Sequence, residues 1–411
     1  MCKSKLTSNI VYLYFLSAAQ MIFPLLTFPY LTQCLSVDAY GIVSYIRATS
    51  IYLQLFIDFG FGLSAVKDIA QSNGDKERIG IITGNVIVAK LILAGTSFFL
   101  FIFLCNMVPI LQHNKLFSVL SFVVVVLSIF LLDFFFRGIE EMQLISLRFI
   151  IMKGISTVLT FLLVKDDQDI LWIPVLDIIS SCFAIIFVTY EIKRYNFVLK
   201  LSSFGDVFNT IKESFIYFLS NMATTAFNIL NTVLIGIYIL DSKDIAYWSV
   251  AMTMVGAAQS FYNPVINGAY PQMAKKPSCH VILRLLMVFM PLVIMGCIIT
   301  FFFASQIINI INGPNYETAA YLLKLLIPVL FFSFPAMLFG WPTLGAINEA
   351  SKVTFSTVVS CIIQIMGLVL LIISHNFTLT AIALLRGFTE FALFCIRFCF
   401  FILYKNKFVV D

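Results

Sequence analysis

Apolar runs of about twenty residues recur from one end of the chain to the other, separated by short polar connections. A helix that crosses a membrane needs about 20 apolar residues, whereas the strands of a membrane barrel show alternation over about ten. The pattern therefore predicts an all-α polytopic membrane protein. We expect twelve spanning helices, near residues 10–34, 40–62, 79–106, 116–136, 142–164, 170–192, 212–239, 245–270, 281–311, 318–341, 353–374 and 378–403.

Proline positions predict where these helices bend. Eight prolines fall in or at the edge of the first, eighth, ninth and tenth predicted spans, and a proline inside a helix removes a hydrogen bond and clashes with the preceding turn. Kinks or broken turns are expected at residues 24, 29, 264, 271, 291, 328, 335 and 342.

The connections between the spans differ sharply in basic residues. One side of the predicted membrane carries seventeen Lys and Arg, Arg148 among them, and the other carries three, at positions 115, 165 and 243. Basic connections stay in the cytoplasm. The count places both termini on the cytoplasmic side.

The chain also divides into two halves. The longest polar connection predicts a cytoplasmic linker at residues 193–211 between six-helix lobes at 1–192 and 212–411. A shift of 205 residues lays residues 35–58 over 240–263 with four identities. Because each half has an even number of helices, both halves have the same orientation, which predicts a parallel repeat about a pseudo-two-fold axis along the membrane normal.

Polar residues form stripes on several predicted helices. Arg47 and Asp58 are eleven residues apart, which places them on one helical face but about 16 Å from each other. Similar stripes run along the seventh and eighth helices. They predict a water-filled cavity, since small polar residues that only join helices would not recur on equivalent helices of both halves. The candidate lining residues are Arg47, Gln54, Asn228 and Asn263.

Other charged residues lie inside the third to sixth and the twelfth spans. Lys90 and Lys153 are further candidates for an anionic substrate, because six basic residues face four acidic ones within the spans. Within-lobe ion pairs are the alternative interpretation. The carboxylates Asp58, Asp133 and Asp177 are candidate sites for a coupling ion, whereas Arg386, Glu390 and Arg397 share one face of the twelfth helix and are expected to form a structural charge cluster.

Composition and motifs argue against catalysis. Of 411 residues, 61% are hydrophobic and only 11% charged, and no extramembrane connection is long enough for a catalytic domain. There is no P-loop and no nucleophile–histidine–acid set. Nine scattered cysteines and three isolated histidines show no metal-ligand spacing. We expect a transport protein that is not an enzyme, with no cofactor, no metal and no nucleic-acid partner.

Three segments carry a family resemblance: PLLTFPYL at residues 24–31, AYGIVSYIRA at 39–48 and NPVINGAYPQMAK at 263–275, with FFFRG at 134–138 in agreement. The chain resembles the Wzx O-antigen flippases of the MATE/MOP superfamily. The resemblance implies a MATE-like fold in a bacterial inner membrane, a substrate of oligosaccharide linked to undecaprenyl diphosphate, and an O-antigen polymerase and a chain-length regulator as partners. It implies that Arg47 binds the diphosphate, with Lys90 and Lys153 as second choices.

Three alternatives stay open. A MATE-like antiporter of drugs or cations would need acidic and aromatic residues in the cavity, where Arg47 is unfavourable. A lipid II flippase shares the diphosphate, although that branch has extra helices and more cavity arginines. A glycan polymerase or ligase would need a sizeable outer loop, and the outer connections here are short.

Overall fold

The apolar stretches form helices in the computed structural model, which describes residues 2–72, 74–239, 241–275 and 277–408. The chain folds as two compact units, Met1–Met222 and Ala223–Asp411. The predicted lobe and linker boundaries stay a prediction.

The described residues of the first unit form nine complete α-helices and the beginning of a tenth. Short 3₁₀ turns lie at Ser128–Leu131 and Asp167–Leu171. The α-helices are α1 (Cys2–Cys34), α2 (Val37–Asp58), α3 (Phe61–Ala70), α4 (Lys76–Met107), α5 (Pro109–His113), α6 (Lys115–Leu127), α7 (Asp133–Gly138), α8 (Met142–Leu163), α9 (Trp172–Arg194) and α10 (Phe204–Tyr238).

In the second unit, the part of the chain that the structure describes forms the rest of α10 and seven further α-helices. A π-helical turn covers Phe339–Gly345, and short 3₁₀ turns lie at Pro314–Tyr316 and Lys405–Lys407. The α-helices are α11 (Ser242–Ser260), α12 (Asn263–Lys275), α13 (Cys279–Asn312), α14 (Glu317–Leu325), α15 (Ile327–Leu338), α16 (Ala350–Ile373) and α17 (Leu379–Leu403).

Within the described residues, ten helical stretches are long and apolar enough to cross a membrane, so the chain is an integral membrane protein. These ten correspond to all the predicted spans except the seventh and eighth. The described apolar part of the seventh is limited to Ile229–Tyr238, and the eighth is divided between α11 and α12. The count of twelve spans and the pseudo-two-fold repeat therefore stay predictions.

Helix breaks occur at some prolines and at two places without them. The chain breaks before Pro264 and Pro328 and unwinds into the π-helical turn that contains Pro342, as expected, while α1 and α13 run on through their prolines. The unexpected breaks lie at Phe59–Gly60 and at Leu132, where the backbone takes positive φ angles. The second predicted span is thus two helices, α2 and α3.

The connection between α9 and α10 packs against α4. The Lys200 amide donates a hydrogen bond to the Gly80 carbonyl oxygen (3.3 Å), and the Asn85 amide group bonds the Ser202 hydroxyl (2.9 Å). The packing needs glycine on α4, since a Cβ atom at Gly80 or Gly84 would lie 2.1 Å from a carbonyl oxygen of this connection. We call residues 195–203 the connecting segment. These contacts hold the connecting segment against α4.

The FFFRG motif supplies core residues of the first unit. Phe134, Phe135 and Phe136 are all buried. A Cβ atom on Gly138 would lie 2.6 Å from the Ile69 side chain, so glycine allows α7 to approach α3 closely. The motif therefore has a packing role in this fold.

Candidate functional site

Three carboxylates in the first unit lie in ion pairs between different helices. Asp58 at the end of α2 accepts a hydrogen bond from Lys90 of α4, with 2.7 Å between Oδ1 and Nζ. Asp177 of α9 accepts one from Lys153 of α8 at 2.8 Å. Each pair joins helices that are separate in sequence. Asp58, Lys90, Lys153 and Asp177 thus have partners within their own unit.

The Asp58–Lys90 pair is sealed on its cationic side. The Lys90 side chain is buried, and its ammonium group lies 5.5 Å from the centre of the Phe134 ring. A cation in this position would be costly without an anion, because burial removes its hydration. The carboxylate of Asp58 neutralises that charge.

The third pair involves a residue that the sequence analysis assigned to the wrong place. Arg148 was counted among the cytoplasmic basic residues, but it lies within α8, is buried, and bonds both Asp133 and the Leu131 carbonyl oxygen. Without Arg148, the connections carry sixteen Lys and Arg on the predicted cytoplasmic side and three on the other side. A cation near the end of a span cannot be distinguished from a loop residue by counting alone.

Arg47 differs from these paired residues. Its side chain is exposed on α2, and no carboxylate among the described residues of the first unit lies within salt-bridge distance of it. Gln54, on the same helix, is exposed as well. Arg47 is thus a described cation inside a predicted span with no carboxylate of its unit's described residues at salt-bridge distance.

The twelfth predicted span is α17, and its predicted charge cluster forms two separate groups. Arg386 donates a hydrogen bond to Glu390 one turn later, at 2.7 Å, and both are buried. Arg397 instead bonds α15 and α16: its guanidinium donates to the Ala336 carbonyl (2.7 Å) and to the hydroxyls of Ser356 and Thr357 (both 3.0 Å). These contacts hold three helices of the second unit together.

The polar stripes of the second unit are largely satisfied by their own helices. On α11 the Thr253 hydroxyl donates to the Ser249 carbonyl (2.7 Å), and the Ser260 hydroxyl donates to the Gly256 carbonyl (2.9 Å). Such groups need neither water nor a neighbouring helix. Asn263 is exposed at the start of α12, and the side chain of Asn228 lies outside the described part of the chain. The stripes do not by themselves require a cavity.

Residues 6–276 match the model of a family described as polysaccharide biosynthesis protein, which is more than half of the chain. The chain belongs to the polysaccharide biosynthesis protein family. The recognised resemblance is thereby confirmed at the level of the family.

Two curated relatives of this polysaccharide biosynthesis protein carry the name "Putative O-antigen transporter". The protein of Escherichia coli (strain K12) is 24% identical over 347 residues, which cover 82% of this chain and 83% of the relative. The protein of Shigella dysenteriae is 25% identical over 269 residues, which cover 65% and 67%. Both names describe transporters rather than enzymes.

Solved structures confirm the fold class of the polysaccharide biosynthesis protein. The inward closed conformation of the lipid II flippase MurJ aligns with a TM-score of 0.73 at 12% identity and covers 98% of this chain and 94% of that one. An inward-facing multidrug resistance MATE family transporter of the MOP superfamily gives 0.72 at 14% identity, with coverage of 97% and 99%. At such low identity the likeness concerns the fold alone.

Two residues that take part in the pairs escaped the sequence analysis. Besides Arg148, Ser156 donates a hydrogen bond to the Asp177 Oδ1 atom at 3.2 Å. Its position one turn after Lys153 on α8 is a signal that could have shown it, because residues three apart share a helical face. The Arg148–Asp133 pair had no comparable signal.

A cavity of about 350 Å³ lies elsewhere in the first unit. It is bounded by the end of α3, the turn between α7 and α8, and the connecting segment, and none of the candidate binding residues lines it. Burial, followed by the negative charges of Glu141 and Glu191, raises the pKa of the Tyr195 hydroxyl in its wall. A tyrosine is already uncharged at neutral pH, and the raised pKa keeps Tyr195 uncharged at still higher pH.

Proposed function

We propose that the protein is a flippase. It moves oligosaccharide repeat units of O antigen, linked to undecaprenyl diphosphate, from the cytoplasmic to the periplasmic leaflet of a bacterial inner membrane by alternating access. Family membership and the transporter names of two curated relatives support this proposal. The lipid II flippase among the fold neighbours is consistent with a lipid-linked substrate.

Arg47 is the observation that carries the proposal within this chain. The lysines at positions 90 and 153 and the arginine at 148 are each bonded to a carboxylate, whereas Arg47 is exposed and has no such partner among the described residues of its unit. A guanidinium can donate two parallel hydrogen bonds to phosphate oxygens. An exposed, uncompensated guanidinium in a predicted span is suited to the diphosphate of the carrier lipid.

The same charges argue against export of an organic cation. Such a substrate needs a carboxylate in its path, and the carboxylates Asp58, Asp133 and Asp177 already have cationic partners. These three stay candidate coupling sites in the proposal, each able to exchange its partner for a proton. The membrane potential is worth about 2.3 kcal/mol per charge at 100 mV, enough to bias such a cycle.

The proposal includes an orientation and partners. Sixteen basic residues against three favour cytoplasmic termini. An O-antigen polymerase and a chain-length regulator are the proteins expected to receive the flipped unit, because a translocated repeat has to be polymerised on the outer face. Gln54, Asn228 and Asn263 remain proposed substrate contacts in addition to Arg47 and Lys153, whereas the predicted contact Lys90 is assigned to its buried ion pair with Asp58.

The decisive experiment is complementation in a strain that has no other flippase. Arg47→Ala should abolish long-chain O antigen at the cell surface while the protein level stays normal. Arg47→Lys should restore part of it, since an ammonium keeps the charge but not the two parallel hydrogen bonds. Arg78→Ala is the matched control, because Arg78 is exposed in the first turn of α4. Normal O antigen from the Arg47→Ala strain would contradict the proposal.

A further inference from the structure

Asp177 is surrounded by donors that would also suit an anionic ligand. Its Oδ1 atom accepts hydrogen bonds from the Lys153 ammonium (2.8 Å) and the Ser156 hydroxyl (3.2 Å). The Lys153 ammonium and the Ser156 hydroxyl of α8 thus converge on one carboxylate of α9.

The three ion pairs between helices of the first unit differ in the exposed fraction of the cationic side chain. The side chains of Lys90 and Arg148 are 8% and 5% exposed, whereas that of Lys153 is 36% exposed. A ligand from outside can therefore approach the Lys153 ammonium without unpacking the helices. The charged groups of Lys90 and Arg148 are buried and bonded to carboxylates of the same unit.

The charge balance also singles out this group. The two proposed cationic contacts, Arg47 and Lys153, carry two positive charges, and Asp177 supplies one negative charge, which is bonded to Lys153. A diphosphate carries more negative charge than a single carboxylate and offers several acceptor oxygens. Such a ligand can satisfy both cations, which Asp177 alone does not.

We infer that Asp177 is an internal competitor of the substrate anion: it occupies Lys153 in the empty protein and yields this ammonium to a lipid diphosphate that binds Lys153 and Arg47. The inference rests on the proposed function and adds a residue that weakens binding. The carboxylate lowers the affinity of the site for diphosphate and takes back Lys153 when the ligand leaves. The ligand is thereby held less tightly and released more readily.

The test is a binding measurement on the purified full-length protein in detergent, with farnesyl diphosphate as the probe. Asp177→Asn removes the competing charge and keeps the side-chain shape, so it should lower the Kd by about tenfold, which corresponds to about 1.4 kcal/mol. Arg47→Ala and Lys153→Met should raise it. The matched control is Glu213→Gln, which also removes one carboxylate, because Glu213 is exposed on α10 and has no assigned role; the Kd should stay within about twofold of wild type.

A milder variant covers the case in which Asp177→Asn does not fold. Ser156→Ala removes one hydrogen bond that holds Asp177 in place and leaves every charge intact. It should lower the Kd by about two- to fivefold, in line with a hydrogen bond to a charged group being worth about 1 kcal/mol or more. A weaker binding of the probe by Ser156→Ala would mean that the hydroxyl serves the ligand and would overturn the inference.

The remaining outcomes separate the inference from the proposed function. If Arg47→Ala weakens binding but Asp177→Asn leaves it unchanged or weaker, the competitor role is wrong and the flippase proposal stands. If neither variant changes the Kd, the anion site itself is wrong. Inorganic pyrophosphate as a second probe distinguishes the sources of the anion: equal effects on both probes show a site for the diphosphate group, and an effect on pyrophosphate alone would overturn the assignment to a lipid.

Discussion

Asp58→Asn is expected to lower the free energy of unfolding by about 3 kcal/mol, the largest effect that we expect from a single conservative change. The substitution leaves the Lys90 ammonium, only 8% exposed, without its anion. Removing one partner of a buried pair costs about 3–5 kcal/mol. The lower end applies because Asp58 itself is 41% exposed. Unfolding of the purified protein in detergent measures the effect.

A double-mutant cycle separates the pairing from the individual side chains. Lys90→Met alone should cost less than Asp58→Asn, since water can hydrate the partly exposed carboxylate that it leaves behind. The double variant should be more stable than Asp58→Asn, because no buried charge is left over. Glu213→Gln, an exposed residue of α10, serves as the control and should stay within about 0.5 kcal/mol of wild type. Additive effects of the two changes would show that the pair does not stabilise the fold.

The cycle also bears on ion coupling. Asp58 is one of the candidate coupling sites, and a carboxylate with that role would affect transport even when the fold is intact. If Asp58→Asn keeps wild-type stability and loses transport, the structural assignment is wrong and the coupling role gains support. Loss of stability with transport restored in the double variant favours the structural assignment.

The sequence predicted the helices well because membrane helices are specified locally. Whether a run of apolar residues is long enough to cross a membrane depends on that run alone, so α8, α16 and α17 are close to their predicted bounds. The breaks at Gly60 and Leu132 had no such local signal. A Cβ atom on Gly60 would lie 2.6 Å from the Tyr217 side chain, so the reason for this glycine lies more than 150 residues away in the chain.

The candidate charges show the same limit. Spacing predicted that Arg386 and Glu390 share a face, and they are bonded one turn apart. It also grouped Arg397 with them, although the partners of Arg397 come from α15 and α16. Periodicity identifies neighbours on one helix, whereas partners on other helices depend on how the helices pack. The sequence allowed an ion pair for Lys90 as an alternative but did not identify Asp58, 32 residues earlier, as its partner.

Gly84 on α4 is expected to be a position where even a methyl group is harmful. Alanine normally favours a helix over glycine by about 1 kcal/mol. At Gly84, however, the added Cβ atom would lie 2.1 Å from the Lys200 carbonyl oxygen of the connecting segment. Backbone atoms cannot turn aside as a flexible side chain can, so the segment must move away. We expect Gly84→Ala to lower the free energy of unfolding by about 2 kcal/mol, within the range for overpacking.

The same helix supplies the matched control for this prediction. A Cβ atom on Gly95 would have no atom within 4 Å, so Gly95→Ala should leave stability unchanged or slightly higher. Displacement of the connecting segment should also break the bonds between Asn85 and Ser202 and speed tryptic cleavage after Lys200. Equal stability and equal cleavage rates for the two alanine variants would show that the segment is not held by α4. A selective effect at Gly84 would show that the connecting segment is fixed to α4. The chain would then be held in place up to the first residue of α10.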